Sequence, residues 1–196
     1  MLKPKRITAP AEAPVSVAEA KAHLRVDSSD EDVLILSLLN AAVEKFDGRT
    51  GLLGRCLVTQ TWSVKQSSFQ GHRAIRLPFP DVDAASVVLK YFDVDNVEQT
   101  YASANYSVHE DEVGGFVLRN SDVIWPTVYD RPDAVSVEFA AGFGAADDVP
   151  SGIKAAILLT VGHLYEHRED VTMSGKGGML PAGAQSLIAP YQMMRI

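Results

Sequence analysis

The spacing of apolar positions changes character twice along the chain, from a helical period to an alternating one and back. Residues 1–15 are Ala-rich and punctuated by Pro4, Pro10 and Pro14, which predicts an extended N-terminal arm. "SVAEAKAHL" follows with Ser16 and Glu19 at capping-box spacing and predicts a short helix over 16–24. In "RVDSSDEDVLILSLLNAAVEKFDGRTG" the acids Asp27, Asp30, Glu31 and Asp32 crowd the positive end of a helix dipole, and Gly51 is placed to cap the other end. Val33, Leu36, Asn40, Val43 and Asp47 mark one stripe of this second helix. Leu34, Leu38, Leu39, Ala42 and Phe46 mark a neighbouring apolar one, so the buried face is expected to be broad.

From about Leu57 the period becomes two: Val58, Gln60, Trp62 and Val64 alternate with Thr59, Thr61, Ser63 and Lys65. Further strand candidates are "AIRLP", "SVVLKYFD", "QTYA", "YSVH", "GFVLR" and "AVSVEFAAG", with Asp93 to Asn96 as a hairpin turn. "DDVPSGIKAAILLTVGHLYEHRED" returns to the helical period, with acids and Pro150 at its start and Lys, His and Arg toward its end. The chain therefore divides into an arm (1–15), two helices (16–56), a small, mostly antiparallel β insertion (57–142), a C-terminal helix (143–170) and a flexible, extended tail (171–196). The class is α+β.

With 196 residues the length favours one core, or a domain with an insertion. Hydrophobic residues make up 46% and charged residues 22%, enough apolar surface to fold and too little charge for a disordered chain. The net charge of −7 argues against a protein that condenses nucleic acid by neutralising phosphates. Cys56 is the single cysteine, which excludes an internal disulfide and a cysteine-built zinc site and fits a reducing, cytoplasmic setting. The basic N-terminus has no apolar run behind it, so no secretory signal is read there, and "AAILLTV" is too short to span a membrane.

Several motifs carry possible chemistry. His163, Glu166 and His167 spell H-x-x-E-H, the inverted zinc-peptidase signature of a zinc-dependent hydrolase. That site needs a third protein ligand, and after His167 only Glu169 and Asp170 carry carboxylates, too near along the same helix. The alternative is a packing helix with Ile153, Ile157, Val161 and Leu164 buried, Leu158 and Tyr165 beside them, and the histidines on a polar flank. "AGFGAADDVP" approaches a dinucleotide loop but lacks its third glycine and places Asp147 and Asp148 where a phosphate would sit. "SGKGG" (174–178) lacks the spacing of a P-loop, and Cys56 has no activating partner in sequence. Trp62, Trp125, Phe69, Phe79, Tyr91 and Tyr106 lack the interleaved Arg and Lys of a base-stacking platform and read as a β core. No catalytic residue, cofactor or metal is expected on the favoured reading.

The ordered set "PVSVAEAKAHLRVDSSDEDVLILSLLNAAVEKFDGRTG", "QTWSV", "IRLPFPDVDAASVVLKYFD", "VSVEFAAGFG", "VPSGIKAAILLTVGHLYEHRED" and "LIAPY" resembles the head–tail connector, or adaptor, proteins of long-tailed phages and of phage-derived gene transfer agents. The resemblance spans about residues 14 to 192. It implies a non-enzymatic subunit of a virion neck, assembled in the bacterial cytoplasm as a homo-oligomeric, typically twelve-fold ring under the portal protein. The helices would form the ring body, double-stranded DNA would pass through the channel without sequence-specific binding, and a downstream neck or stopper protein would join below. Carried over by position, Leu187, Ile188, Pro190, Tyr191, Met193, Met194 and Arg195 become portal-contact candidates. Glu166, His167, Arg168 and Glu169 become candidates for contacts between subunits.

Overall fold

In the computed structural model, which describes residues 2–69, 73–167 and 180–193, the chain folds as two units. The described parts of Met1–Ala11 and Thr59–Phe143 form one, and those of Glu12–Val58 and Gly144–Met193 the other. The class is mixed helix and antiparallel sheet, α+β.

The first unit is built around β2 (Gln60–Gln66) and β8 (Val135–Ala141), paired antiparallel from Gln60 opposite Ala141 to Gln66 opposite Val135. Strict alternation along β8 buries Val135, Val137, Phe139 and Ala141, as a strand with one covered face requires. β1 (Lys5–Thr8) pairs with β2 on one side, and β4 (Val88–Phe92) with β5 (Glu98–Tyr101) extends the sheet on the other, giving the order β1-β2-β8-β4-β5. A second sheet has the order β3-β7-β6, from Ala74–Arg76, Gly114–Arg119 and Tyr106–Asp111. The turn expected at Asp93 to Asn96 joins β4 to β5, with Asn96 in the left-handed region at φ 58°.

The aromatic residues of this unit face one another. Phe79 is fully buried with its ring centroid 4.7 Å from Trp62, and Phe69 stacks on Trp125 at 4.4 Å and 6°. Each buried aromatic side chain contributes roughly 1.5–3 kcal/mol relative to exposure, so this cluster is a main source of the unit's cohesion. β1 departs from expectation: part of the supposed arm is a strand.

The second unit contains α1 (Val17–Leu24), α2 (Asp32–Phe46), α3 (Ser151–Glu166) and α4 (Ala182–Ile188). Ser16 forms the predicted capping box, accepting from the Glu19 amide at 3.2 Å while the Glu19 carboxylate accepts from the Ser16 amide at 2.7 Å. α2 starts later than its acids suggest, with only Asp32 in the first turn, where Lys21 of α1 pairs with it at 2.6 Å. Its buried stripe is Ile35, Leu39, Ala42 and Phe46, narrower than expected; Val33 is 83% exposed.

The end of α2 corrects the expected Gly51 cap. Asp47 closes the helix in an extended conformation, Gly48 takes φ 72°, and the Asp47 carboxylate accepts from the Leu57 amide at 2.8 Å. Gly51 is needed for close approach instead, since a Cβ there would fall on the carbonyls of Phe46 and Asp47. The returning loop buries Leu53, Cys56 and Leu57.

The C-terminal segment also differs from the extended tail expected. Ala182–Ile188 is helical, packs against α3, and buries Ala184 and Ile188 completely. The physical reason is a second amphipathic period: Ala184 and Ile188 lie one turn apart and find an apolar partner within the unit. Residues 171–179 and 194–196, including "SGKGG", lie outside the described residues.

Candidate functional site

The last turn of α3 carries the H-x-x-E-H residues. Ile153, Ile157 and Val161 are fully buried and Leu164 and Tyr165 half-buried, which sets His163, Glu166 and His167 on the exposed flank. Tyr165 is anchored by donating its hydroxyl to the Glu31 carboxylate ahead of α2. The helix ends at Glu166. His167 is already the C-cap, its amide donating to the His163 carbonyl at 3.1 Å and its Nδ1 lying 3.1 Å from the same oxygen. The two imidazoles lie 4.5 Å apart between centroids, tilted by 32°. Among the described residues no group of three or more His, Cys, Asp or Glu gathers in a way that could hold a metal ion. The arrangement is that of a helix end with two imidazoles near its negative pole.

The glycine segment between β8 and α3 has spent the amides a phosphate would need. Gly142 and Gly144 take φ of 140° and 134°, and the Ala145 amide donates to the Asp148 carboxylate at 2.9 Å. The Ala146 amide donates to Glu12 at 2.8 Å. Two carboxylates thus occupy the donors of this turn, and an anionic ligand would have to displace both.

The portal-contact candidates are not one loose peptide. Ile188 is core, while Pro190 is exposed and Leu187, Tyr191 and Met193 are half-buried. Tyr191 lies against Gly152, and the Met193 amide donates to the Leu53 carbonyl at 3.1 Å, fastening the segment to its own unit. Met194 and Arg195 lie outside the described residues. Of the subunit-contact candidates, Glu166 and His167 are exposed, and Arg168 and Glu169 lie outside the described residues. Val33 and Leu36, which periodicity set in a stripe of α2, are exposed apolar positions, and so is Ile7 of β1, which it did not single out. The signal for β1 was present in "KRIT", where a β-branched pair sits between prolines.

Among the described residues no helix is long and apolar enough to cross a membrane. No protein-family model matches the chain, and no curated protein matches it. Solved structures do. The chain is similar to one in the neck of an empty gene transfer agent (GTA) particle computed with C6 symmetry, at 25% identity and a TM-score of 0.76, covering 100% of this chain and 97% of that one. With the same coverage it is similar to a chain of the virion of a native GTA particle (24% identity, TM-score 0.77) and to one of the neck of a native GTA particle computed with C12 symmetry (23%, 0.77). Along its whole length, then, this chain has the fold of chains found in GTA particles and their necks, and it resembles a neck or adaptor protein of phages and gene transfer agents.

Proposed function

We propose that the chain is a structural head–tail adaptor that forms a ring under the portal, extends the DNA channel and joins the head to the next neck protein. The observation that supports this most is the full-length likeness to a GTA neck chain at 25% identity. On this reading the ring is twelve-fold, by analogy with the neck computed with C12 symmetry. The subunit carries out no reaction. The acidic balance of the chain suits the role, because a strongly basic lumen would bind DNA by releasing counterions and retard its passage. Exposed apolar residues on α2, Val33 at 83% and Leu36 at 45%, give the second unit a surface that a neighbouring molecule would cover favourably.

The experiment is assembly without the chain. Particles made in its absence should accumulate as DNA-filled heads without tails, and adding the purified protein back should restore joining. Tailed particles in its absence would refute the joining role.

A further inference from the structure

The five-stranded sheet ends on both sides in a short strand with no further strand beyond it among the described residues: β1 at one edge and β5 at the other. All four residues of β1 are exposed, and so are Glu98, Gln99 and Thr100 of β5. Such edges present unpaired amides and carbonyls, a template for another strand. Their charges are opposite. Lys5, with Lys3 just before the strand, stands at the β1 edge, while Arg6 reaches back to donate to Gln60 of β2 at 3.3 Å; Glu98, with Asp95 in the preceding turn, stands at the β5 edge. Asp93 is committed to the turn, accepting from the amides of Asp95 and Val97 and from the Gln99 side chain. Among the described residues no ion pair engages Lys3, Lys5, Asp95 or Glu98. Each edge also exposes a branched aliphatic residue, Ile7 of β1 at 50% and Val97, just ahead of β5, at 52%.

All four neighbouring pairs in this sheet are antiparallel, so β1 and β5 run in the same direction. We propose that β5 of one copy docks on β1 of the next, so that the sheet continues from subunit to subunit through a short parallel pairing. The occupant of each edge is a second copy of this chain, and the inference rests on the ring reading above. Charge selects the arrangement: a two-fold dimer would set Lys5 against itself, or Glu98 against itself. Head-to-tail contact sets basic against acidic. Contacts of that heterologous kind close into a ring when the rotation between neighbours divides the full turn. Pro4, Pro10 and the bulge between Arg6 and Thr8 limit the pairing to a few residues, which fixes register and discourages promiscuous addition.

The test uses the full chain with purified portal rings, and follows association by sedimentation velocity. Variant one carries Lys3→Glu and Lys5→Glu, making both edges acidic; variant two carries Asp95→Lys and Glu98→Lys, making both basic. Each alone is expected to associate about tenfold or more weakly than the parent, because like charges then face each other at every junction. An equal mixture should regain association, since acidic and basic subunits can alternate. Circular dichroism of each variant matching that of the parent makes loss alone attributable to the edges, and rescue by mixing requires folded subunits in any case. If either variant alone assembles like the parent, or if the mixture gains nothing, strand docking is wrong while the ring reading stands. If the parent itself makes no ring on the portal, both fall.

Discussion

Ser16 holds the first turn of α1 by two reciprocal bonds with Glu19, and the Ser16 amide first and its hydroxyl second, both donating to the Glu19 carboxylate, hold that carboxyl below its ordinary range. Ser16→Ala is expected to cost about 1 kcal/mol in urea unfolding at neutral pH. A carboxyl lowered on folding stabilises above its unfolded value, and that contribution disappears as pH falls through the folded value. The parent should therefore lose stability below about pH 4.5, and its advantage over Ser16→Ala should narrow there. Asp111, lowered mainly by Arg76, and Asp133, lowered mainly by Arg131, add to the same acid-side loss. A gap between parent and variant that widened in acid would contradict this linkage. The H-x-x-E-H residues give a second measurement: protein purified without chelator should hold less than about a tenth of an equivalent of zinc by elemental analysis, and stoichiometric zinc would reopen the hydrolase reading. The capping box was legible because its partners are three positions apart. The bond from Tyr165 to Glu31 joins residues 134 positions apart, and no local pattern signals it.

At the scale of elements, most strands and the first three helices follow from period and caps, since each covers one face against its own unit. The two elements that periodicity missed, β1 and α4, are short: four and seven residues. Four residues give only two repeats of alternation, and the glycine-rich stretch ahead of α4 masked a period carried by Ala184 and Ile188 alone. α4 changes what removal of the C-terminal segment should do. Read as a loose tail, truncation after Gly178 would leave stability untouched; with Ile188 fully buried it should lower the melting temperature. Ile188→Ala is expected to cost about 2–5 kcal/mol, whereas exposed Pro190→Ala should cost well under that. Equal melting curves for parent and Ile188→Ala would show that α4 is not part of the folded unit. On the adaptor proposal, a portal contact by this segment would fall to its exposed residues and not to Ile188.

For the whole molecule, composition pointed to a folded, acidic protein but carried no sign of its partners. Individual motifs said as little: the H-x-x-E-H residues lie on an exposed helix end, and the amides of the glycine turn are already bound by Asp148 and Glu12. The order of segments along the chain was informative because it spells out the whole fold, which is the one found in a GTA particle neck. The most direct measurement is the mass and image of the complex formed when the purified chain is offered to its purified portal. The account predicts a closed ring of this chain seated on the portal, with one symmetric set of subunits per portal. A chain that neither binds the portal nor forms rings at high concentration would contradict it.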